Sequence, residues 1–335
     1  VLILGVVLFY LLPGLALAAI LWCVALEWRR DRIPILLYHR LIARREVEAG
    51  RIPDNEPIYA CYDDTFAGQM QRLEEEGYTT LTLDEFLAIR RKRMPRPARP
   101  VVITFDDGYS SNHALAWPVL RRHRFKATVF VAPEPDVYTR SRVAGIDGFL
   151  SEDQMREMDA GGFAIESHTL THCVLSDLDD PTARFELEES RRRLGTIVGR
   201  PIRHLAVPRS GHSRRVRRLA RAAGYLTVCS NAKGSSNGGS SLYSLPRIVV
   251  ERDTSVQDFS RALRPRGAAI LRLVGNVKRV PGVLLGPAGA QKLRRALLGS
   301  ALGGLLQTRR LIALLAFGTI LYAMGIALFT WSLLR

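Results

Sequence analysis

Val101-Val102-Ile103-Thr104-Phe105-Asp106-Asp107-Gly108 runs five β-branched or aromatic residues straight into two carboxylates and a glycine. An apolar run of that length predicts a buried strand, and the Pro/Arg stretch from Met94 to Pro100 bounds it upstream. Successive strand side chains leave on opposite faces, so the two carboxylates at the strand's end point apart. One is free to bind a metal while its neighbour accepts a proton. Gly108 lets the chain turn sharply beside them. Standing alone, Asp-Asp-Gly after a strand is as readily a turn and a helix cap.

Outward from this stretch, strands and helices alternate. Upstream, Ile33 to Tyr38 reads as a short buried strand, residues 40–60 as loop, and Phe66, Met70, Leu73 and Gly77 follow a helical rhythm that Asp63 or Asp64 can cap. A short helix is expected over Leu83 to Arg91. Downstream, a helix is expected over 111–123, a strand over Ala127 to Val131, and a helix opening at Ser151 and ending at Gly161-Gly162. Phe163 to Ser167 is the next strand. A long amphipathic helix follows over Thr182 to Val198, between Pro181 and Gly199. Strands at 202–207, 225–229 and 245–251 enclose a helix at 213–223 and a flexible Gly/Ser loop from Lys233 to Ser241. The alternation predicts an α/β fold, a parallel sheet with helices outside.

Glu166-Ser167-His168-Thr169-Leu170-Thr171-His172 also follows a predicted strand. Two histidines at i and i+4 share a face if the segment is a helix or tight turn. Imidazole suits zinc and other first-row divalent ions, although a pair of histidines is often a surface accident. Asp107, His168 and His172 together make a three-ligand set that leaves coordination positions open, the pattern of a catalytic metal. Both segments end strands of one parallel sheet, so their side chains converge where α/β sites sit.

These segments resemble the polysaccharide deacetylase family, carbohydrate esterase family 4, also called the NodB homology domain. TFDDG at 104–108 is similar to its first motif and HTLTH at 168–172 to its second. Pro34 to Arg40 (PILLYHR) resembles a family opening, and Leu245-Pro246-Arg247-Ile248 a late strand; the resemblance spans roughly 33–260. It implies a distorted (β/α) barrel of about seven strands and metal-dependent N-deacetylation of carbohydrate. Asp107, His168 and His172 would hold a divalent metal, zinc first. Asp106 would be the general base toward a water whose pKa a metal brings from 15.7 to about 7. The oxyanion would need the metal and a backbone N–H, and an acid must protonate the departing amine. The third motif departs from the family's R-x-P-[YF]-G. Here it reads Ala206-Val207-Pro208-Arg209-Ser210-Gly211, with Ala206 in place of the Arg that steadies the base and Arg209 in place of the aromatic residue. Pro208 and Arg209 are expected on the substrate and oxyanion side. Arg209 suits an anionic group near the sugar, or is a solvated loop residue. The fifth motif, which supplies the acid, has no clear match. His39 is the candidate acid, or else a core histidine that holds a ligand in place. Arg247 is the candidate for the missing base-orienting charge.

The chain has 335 residues, a formal net charge of +16 and four cysteines with no CxxC pair. A disulfide framework is not expected. The basic balance favours anionic partners such as phospholipid head groups or lipid-linked phosphates. Nucleic acid is set aside, because no recognition motif or aromatic platform is present. Residues 1–26 and 311–334 are uncharged and exceed the roughly 20 residues that cross a bilayer. The expected organisation is an N-terminal transmembrane helix (1–28), a deacetylase-like catalytic domain (33–260), a basic amphipathic membrane-proximal segment (261–310) and a C-terminal transmembrane helix (311–334). A cleaved signal peptide is the competing reading of the first run, and a solvated helical hairpin that of 261–310. Arginines flank both runs on the domain side, which predicts a membrane location with the domain facing the cytoplasm. The expected substrate is an N-acyl, first N-acetyl, amino sugar of a membrane-associated or polyprenyl-phosphate-linked glycan, with membrane lipids as further partners. The alternative is a non-catalytic glycan- or lipid-binding scaffold that keeps the metal site.

Overall fold

The structure, a computed structural model, describes residues 12–29, 31–52, 60–141 and 147–273. They fall into two units: Arg30–Arg264, and a second made of Val1–Arg29 with Pro265–Arg335. The strands of the larger unit are β1 (Ile35–Tyr38), β2 (Leu41–Ile42), β3 (Cys61–Tyr62), β4 (Thr79–Leu81), β5 (Pro100–Phe105), β6 (Ala127–Val131), β7 (Phe163–Ser167), β8 (His204–Ala206), β9 (Thr227–Lys233) and β10 (Leu245–Val249). Seven of them pair in parallel in the order β1-β10-β9-β8-β7-β6-β5, and β1 pairs again with β5, so the sheet closes into a barrel. On the other edge of β5, β4 pairs with residues 100–102 and β6 with residues 104–105. β2 and β3 form a separate parallel pair.

Strands covered on both faces carry near-continuous apolar runs. β5 (PVVITF) and β6 (ATVFV) are buried at every position. Ile35, Val102, Phe130, Ala206, Cys229 and Leu245 meet in one apolar cluster with Leu83 and Phe86. Several helices start at side-chain caps, whereas Asp63 and Asp64 lie in the first turn of Asp63–Glu75 and Tyr62 precedes it without a side-chain cap. Thr82 and Glu85 form a capping box, as do Ser151 and Gln154, and Asp179 caps the helix Asp180–Val198, which ends on Gly199 at φ 72°. The four cysteines are free.

Four expectations are corrected. The helix expected over 111–123 begins as a π-helical turn, Asn112–Ala116, before the α-helix Trp117–Arg122. Pro118 has no N–H to close a bond to Ala114, so the turn widens there. The loop expected to be flexible is pinned: Ser235, Ser236 and Asn237 are buried, and Ile33 and Ser236 exchange backbone hydrogen bonds of 2.6 and 3.1 Å. Residues 40–60, expected as loop, include β2 and the helix Arg44–Glu48.

The fourth correction concerns the membrane. The helix Leu12–Glu27 has 16 residues, and no helix among the described residues is long and apolar enough to cross a membrane. At about 1.5 Å rise per residue a span needs roughly 20 residues. The expected two transmembrane helices, and the cytoplasm-facing membrane location built on them, are therefore not upheld. Residues 1–11, 274–310 and the expected C-terminal helix at 311–334 lie outside the described residues.

Candidate active site

β5 ends at Phe105 and β7 at Ser167, so the two chemistry-bearing segments leave the same end of the barrel. Backbone bonds carry the register past the strand ends: Asp106 N–H donates to Tyr38 O (2.9 Å) and His168 N–H to Val131 O (2.9 Å). Asp107, His168 and His172 converge there. Each offers one ligand atom, and the three atoms lie within 4.8 Å of one another. Asp107 Oδ1 is 3.3 Å from His168 Nε2 and 3.1 Å from His172 Nε2, and all three residues are buried.

The donor chemistry fits a divalent cation. His168 Nδ1 lies 2.8 Å from the carbonyl oxygen of Ala206, which can only accept, so Nδ1 carries the proton. The Nε2 lone pair of neutral His168 then faces an anionic oxygen, an arrangement that a proton or a metal has to bridge. Ligand bonds of about 2.0–2.2 Å in tetrahedral geometry separate donor atoms by roughly 3.3–3.6 Å, close to the two Asp107–histidine distances. Burial alone would raise the carboxyl of Asp107, but hydrogen bonds from His168 and His172 outweigh it and hold it well below the usual carboxylate range. Burial likewise opposes the charging of His168, but Asp106 and Asp107 outweigh it and raise its pKa.

Asp106 is instead paired with β10. Arg247 of β10, wholly buried, donates to both of its carboxylate oxygens, Nη1 to Oδ1 at 2.6 Å and Nη2 to Oδ2 at 2.7 Å. Burial raises the carboxyl of Asp106, and the charge and hydrogen bonds of Arg247, with His168, outweigh it and leave it below its ordinary value. The guanidinium also reaches Thr104 Oγ1 (3.4 Å), whose hydroxyl donates to Leu36 O (2.5 Å). Asp106 Oδ2 stands 4.0 Å from His168 Nε2, so the paired carboxylate borders the ligand set.

His39 follows β1 directly, beside Asp106, because Tyr38 and Phe105 are partners across the β1–β5 ladder. Burial lowers its pKa, and the charges of Asp107 and Asp106 partly restore it. Its carbonyl accepts from Asn112 Nδ2 (2.8 Å), so the π-helical turn holds this loop. Pro208 and Arg209 form a single 3-10 turn after β8. Arg209, at φ 49°, sends Nη2 to Thr139 Oγ1 (2.9 Å), and Thr139 Oγ1 lies 3.1 Å from His172 Nδ1. The Arg209 side chain is therefore linked through Thr139 to His172. Where the base-steadying arginine was expected, Ala206 contributes its carbonyl to His168.

Of the six non-glycine residues with positive φ among the described residues, Asp107, Thr169, His172 and Arg209 belong to these loops. Each such conformation costs on the order of 1–3 kcal/mol and persists where the surroundings over-determine it. The HTLTH segment is thus neither helix nor simple turn. Gly108 has φ 71°, and a Cβ there would meet both methyls of Val131 at 3.0 Å. Thr139, Thr104 and Glu186 are the supporting residues that sequence reasoning missed. Glu186 had one signal, an acidic residue on the apolar stripe of its helix. His113, His123, His204 and His212 bond elsewhere, to Glu157, Glu74, Thr227 and the Tyr243 carbonyl.

The chain is similar in sequence and fold to known proteins. Residues 93–228 match the family model described as Polysaccharide deacetylase. The chain is 28% identical over 228 residues to YxkH of Bacillus subtilis strain 168, a protein assigned to the polysaccharide deacetylases, covering 68% of this chain and 75% of that one. It is 33% identical over 112 residues to a poly-β-1,6-N-acetyl-D-glucosamine N-deacetylase of Staphylococcus epidermidis, covering 33% of this chain and 37% of that one. Among solved structures the fold is similar to the deacetylase PplD of Streptococcus pyogenes (TM-score 0.62, 23% identity, 71% of this chain and 100% of that one). In sequence over residues 93–228 and in its closed parallel barrel, the chain is similar to polysaccharide deacetylases.

Proposed function

We propose that this chain hydrolyses an N-acyl group, acetyl in the first instance, from an amino sugar of a glycan, using a divalent metal held by Asp107, His168 and His172. The observation that carries the reading is the convergence of two imidazole Nε2 atoms and a carboxylate oxygen within 4.8 Å, beside a second carboxylate paired to a buried arginine. Zinc, when bound, supplies a Lewis acid that polarises the amide carbonyl and acidifies water. Asp106 takes the proton of the attacking water at a carboxylate oxygen, since its remaining lone pairs are not all used by Arg247. Arg247 keeps that carboxylate charged and fixes its plane. The Ala206 carbonyl sets the tautomer of His168, and Thr139 orients His172. The backbone N–H of Arg209 is the proposed oxyanion donor and His39 the proposed acid toward the departing amine. A lowered pKa makes protonated His39 a stronger acid and a scarcer one.

The name of the Staphylococcus epidermidis relative supports an N-acetylglucosamine polymer as the substrate class. Arg209 is engaged by Thr139 and faces Asp136 at 3.9 Å, so the proposal does not call on it for a polyprenyl phosphate. The test is acetate release from N-acetylglucosamine oligomers by the zinc-loaded chain. Turnover is expected, and Asp106→Asn should lower it by about 10²–10⁴-fold. A protein that binds zinc and oligomer without releasing acetate would instead be the scaffold.

A further inference from the structure

The segment that carries both histidine ligands is fastened from behind by one helix. Glu186, on Asp180–Val198 and 7% exposed, accepts at Oε2 from the backbone N–H groups of Leu170 and Thr171, each at 3.0 Å. Its Oε1 accepts from the Thr171 hydroxyl at 2.8 Å. One turn along the same face, Ser190 Oγ lies 2.8 Å from Ser167 Oγ. The helix thus grips the residue before His168 and the two residues before His172. Thr169 sits between those grips and His172 directly after the second, both in the left-handed region at φ 66°. Released from Glu186, the buried Leu170 amide and the half-buried Thr171 amide would lose their acceptor, and the backbone would have reason to relax toward ordinary dihedrals. Such a relaxation swings the His172 imidazole away from Asp107.

We propose that Glu186 is a positioning residue for the metal ligands, holding the Thr169–His172 turn in the conformation that brings His168 and His172 together on Asp107. The role rests on the metal-site reading above. It assigns to a carboxylate outside the ligand set the task of keeping a strained turn ready for a cation. Tight binding would then depend on hydrogen bonds made before the metal arrives.

Zinc affinity of the full chain, measured by competition with a chromophoric chelator, tests this. Glu186→Leu keeps the volume and removes both acceptors, and should weaken zinc binding by about 10–100-fold. Glu186→Gln keeps one oxygen for the two amides and should retain most of the affinity. Glu188→Gln removes an exposed carboxylate from the same helix and should bind as wild type, which separates a local hold from bulk charge. Far-UV circular dichroism of each metal-free protein reports the fold independently. Folded Glu186→Leu that binds zinc as tightly as wild type would overturn the proposal. Should that variant fail to fold, Glu186→Asp, which draws the carboxylate back by one methylene, decides instead. An intermediate loss is expected, and wild-type affinity would overturn it. A wild-type chain that binds no zinc would remove the metal-site reading itself, a result distinct from any difference among variants.

Discussion

Replacing Arg247 by Met isolates the pair on which the proposed base depends. Arg247 is 0% and Asp106 4% exposed at the side chain, and two hydrogen bonds of 2.6 and 2.7 Å join them. Removing one partner of such a pair leaves an uncompensated buried charge and costs about 3–5 kcal/mol. For a unit of this size each kcal/mol moves Tm by about 2–4 °C, so a fall of roughly 6–20 °C is expected at neutral pH. The pH dependence gives a sharper check. In the wild type the folded carboxyl of Asp106 titrates below its ordinary value. Its contribution to stability is therefore present above the unfolded pKa, about 3.9, and is lost as pH falls through the folded value. In the variant, burial dominates and lifts the carboxyl above the ordinary value. The folded state then binds the extra proton, and stability is lost as pH rises from the unfolded pKa through the raised folded one. The gap in Tm between wild type and variant should be widest near neutrality and narrow toward pH ~4. Calorimetry of both metal-free proteins across that range is the assay. A gap that is absent at neutral pH, or the same at both ends, would refute the reasoning.

Thr139→Val removes the hydroxyl at His172 Nδ1 and should weaken zinc binding by about 10–100-fold in a chelator competition, with an unchanged constant counting against an orienting role. His39→Ala should lower kcat by about 10²–10⁴-fold with little change in KM, and unaltered turnover would take His39 out of the acid role. Dialysis against a strong chelator should abolish acetate release and readdition of zinc restore it; activity that survives dialysis would contradict a metal-dependent reaction. Tyr225→Phe deletes a buried hydroxyl that donates to Leu187 O (2.9 Å) and accepts from Ser167 Oγ (2.7 Å), and should cost about 1–3 kcal/mol by urea unfolding.

Much of the barrel is readable from sequence because buried parallel strands are nearly continuous apolar runs. Ala127 to Val131 and Phe163 to Ser167 are strands over the residues their composition predicts. β2, β3 and β4 escape that reading: two or three residues, such as Thr79-Thr80-Leu81, hold no period, and tertiary pairing alone makes them strands. Composition over 1–26 suggests a span, whereas no helix among the described residues is long and apolar enough to cross a membrane. In the site, the cluster of Asp107, His168 and His172 is legible from the two motifs that carry it. The contact of Arg247 with Asp106 crosses 141 positions, and only the closed barrel brings β10 to β5 through β1. Thr139 and Glu186 are ordinary residue types whose importance lies in the loop they face. The strain at Thr169 and His172 that makes them matter leaves no mark in the amino-acid order.

The most direct measurement is diffraction at the zinc absorption edge from crystals of the chain grown with zinc. A single anomalous peak at about 2.0–2.2 Å from His168 Nε2, His172 Nε2 and an Asp107 carboxylate oxygen is the predicted result. A zinc-soaked crystal with no peak among these three side chains, or with the ion bound elsewhere while they pair only with one another, would contradict the account.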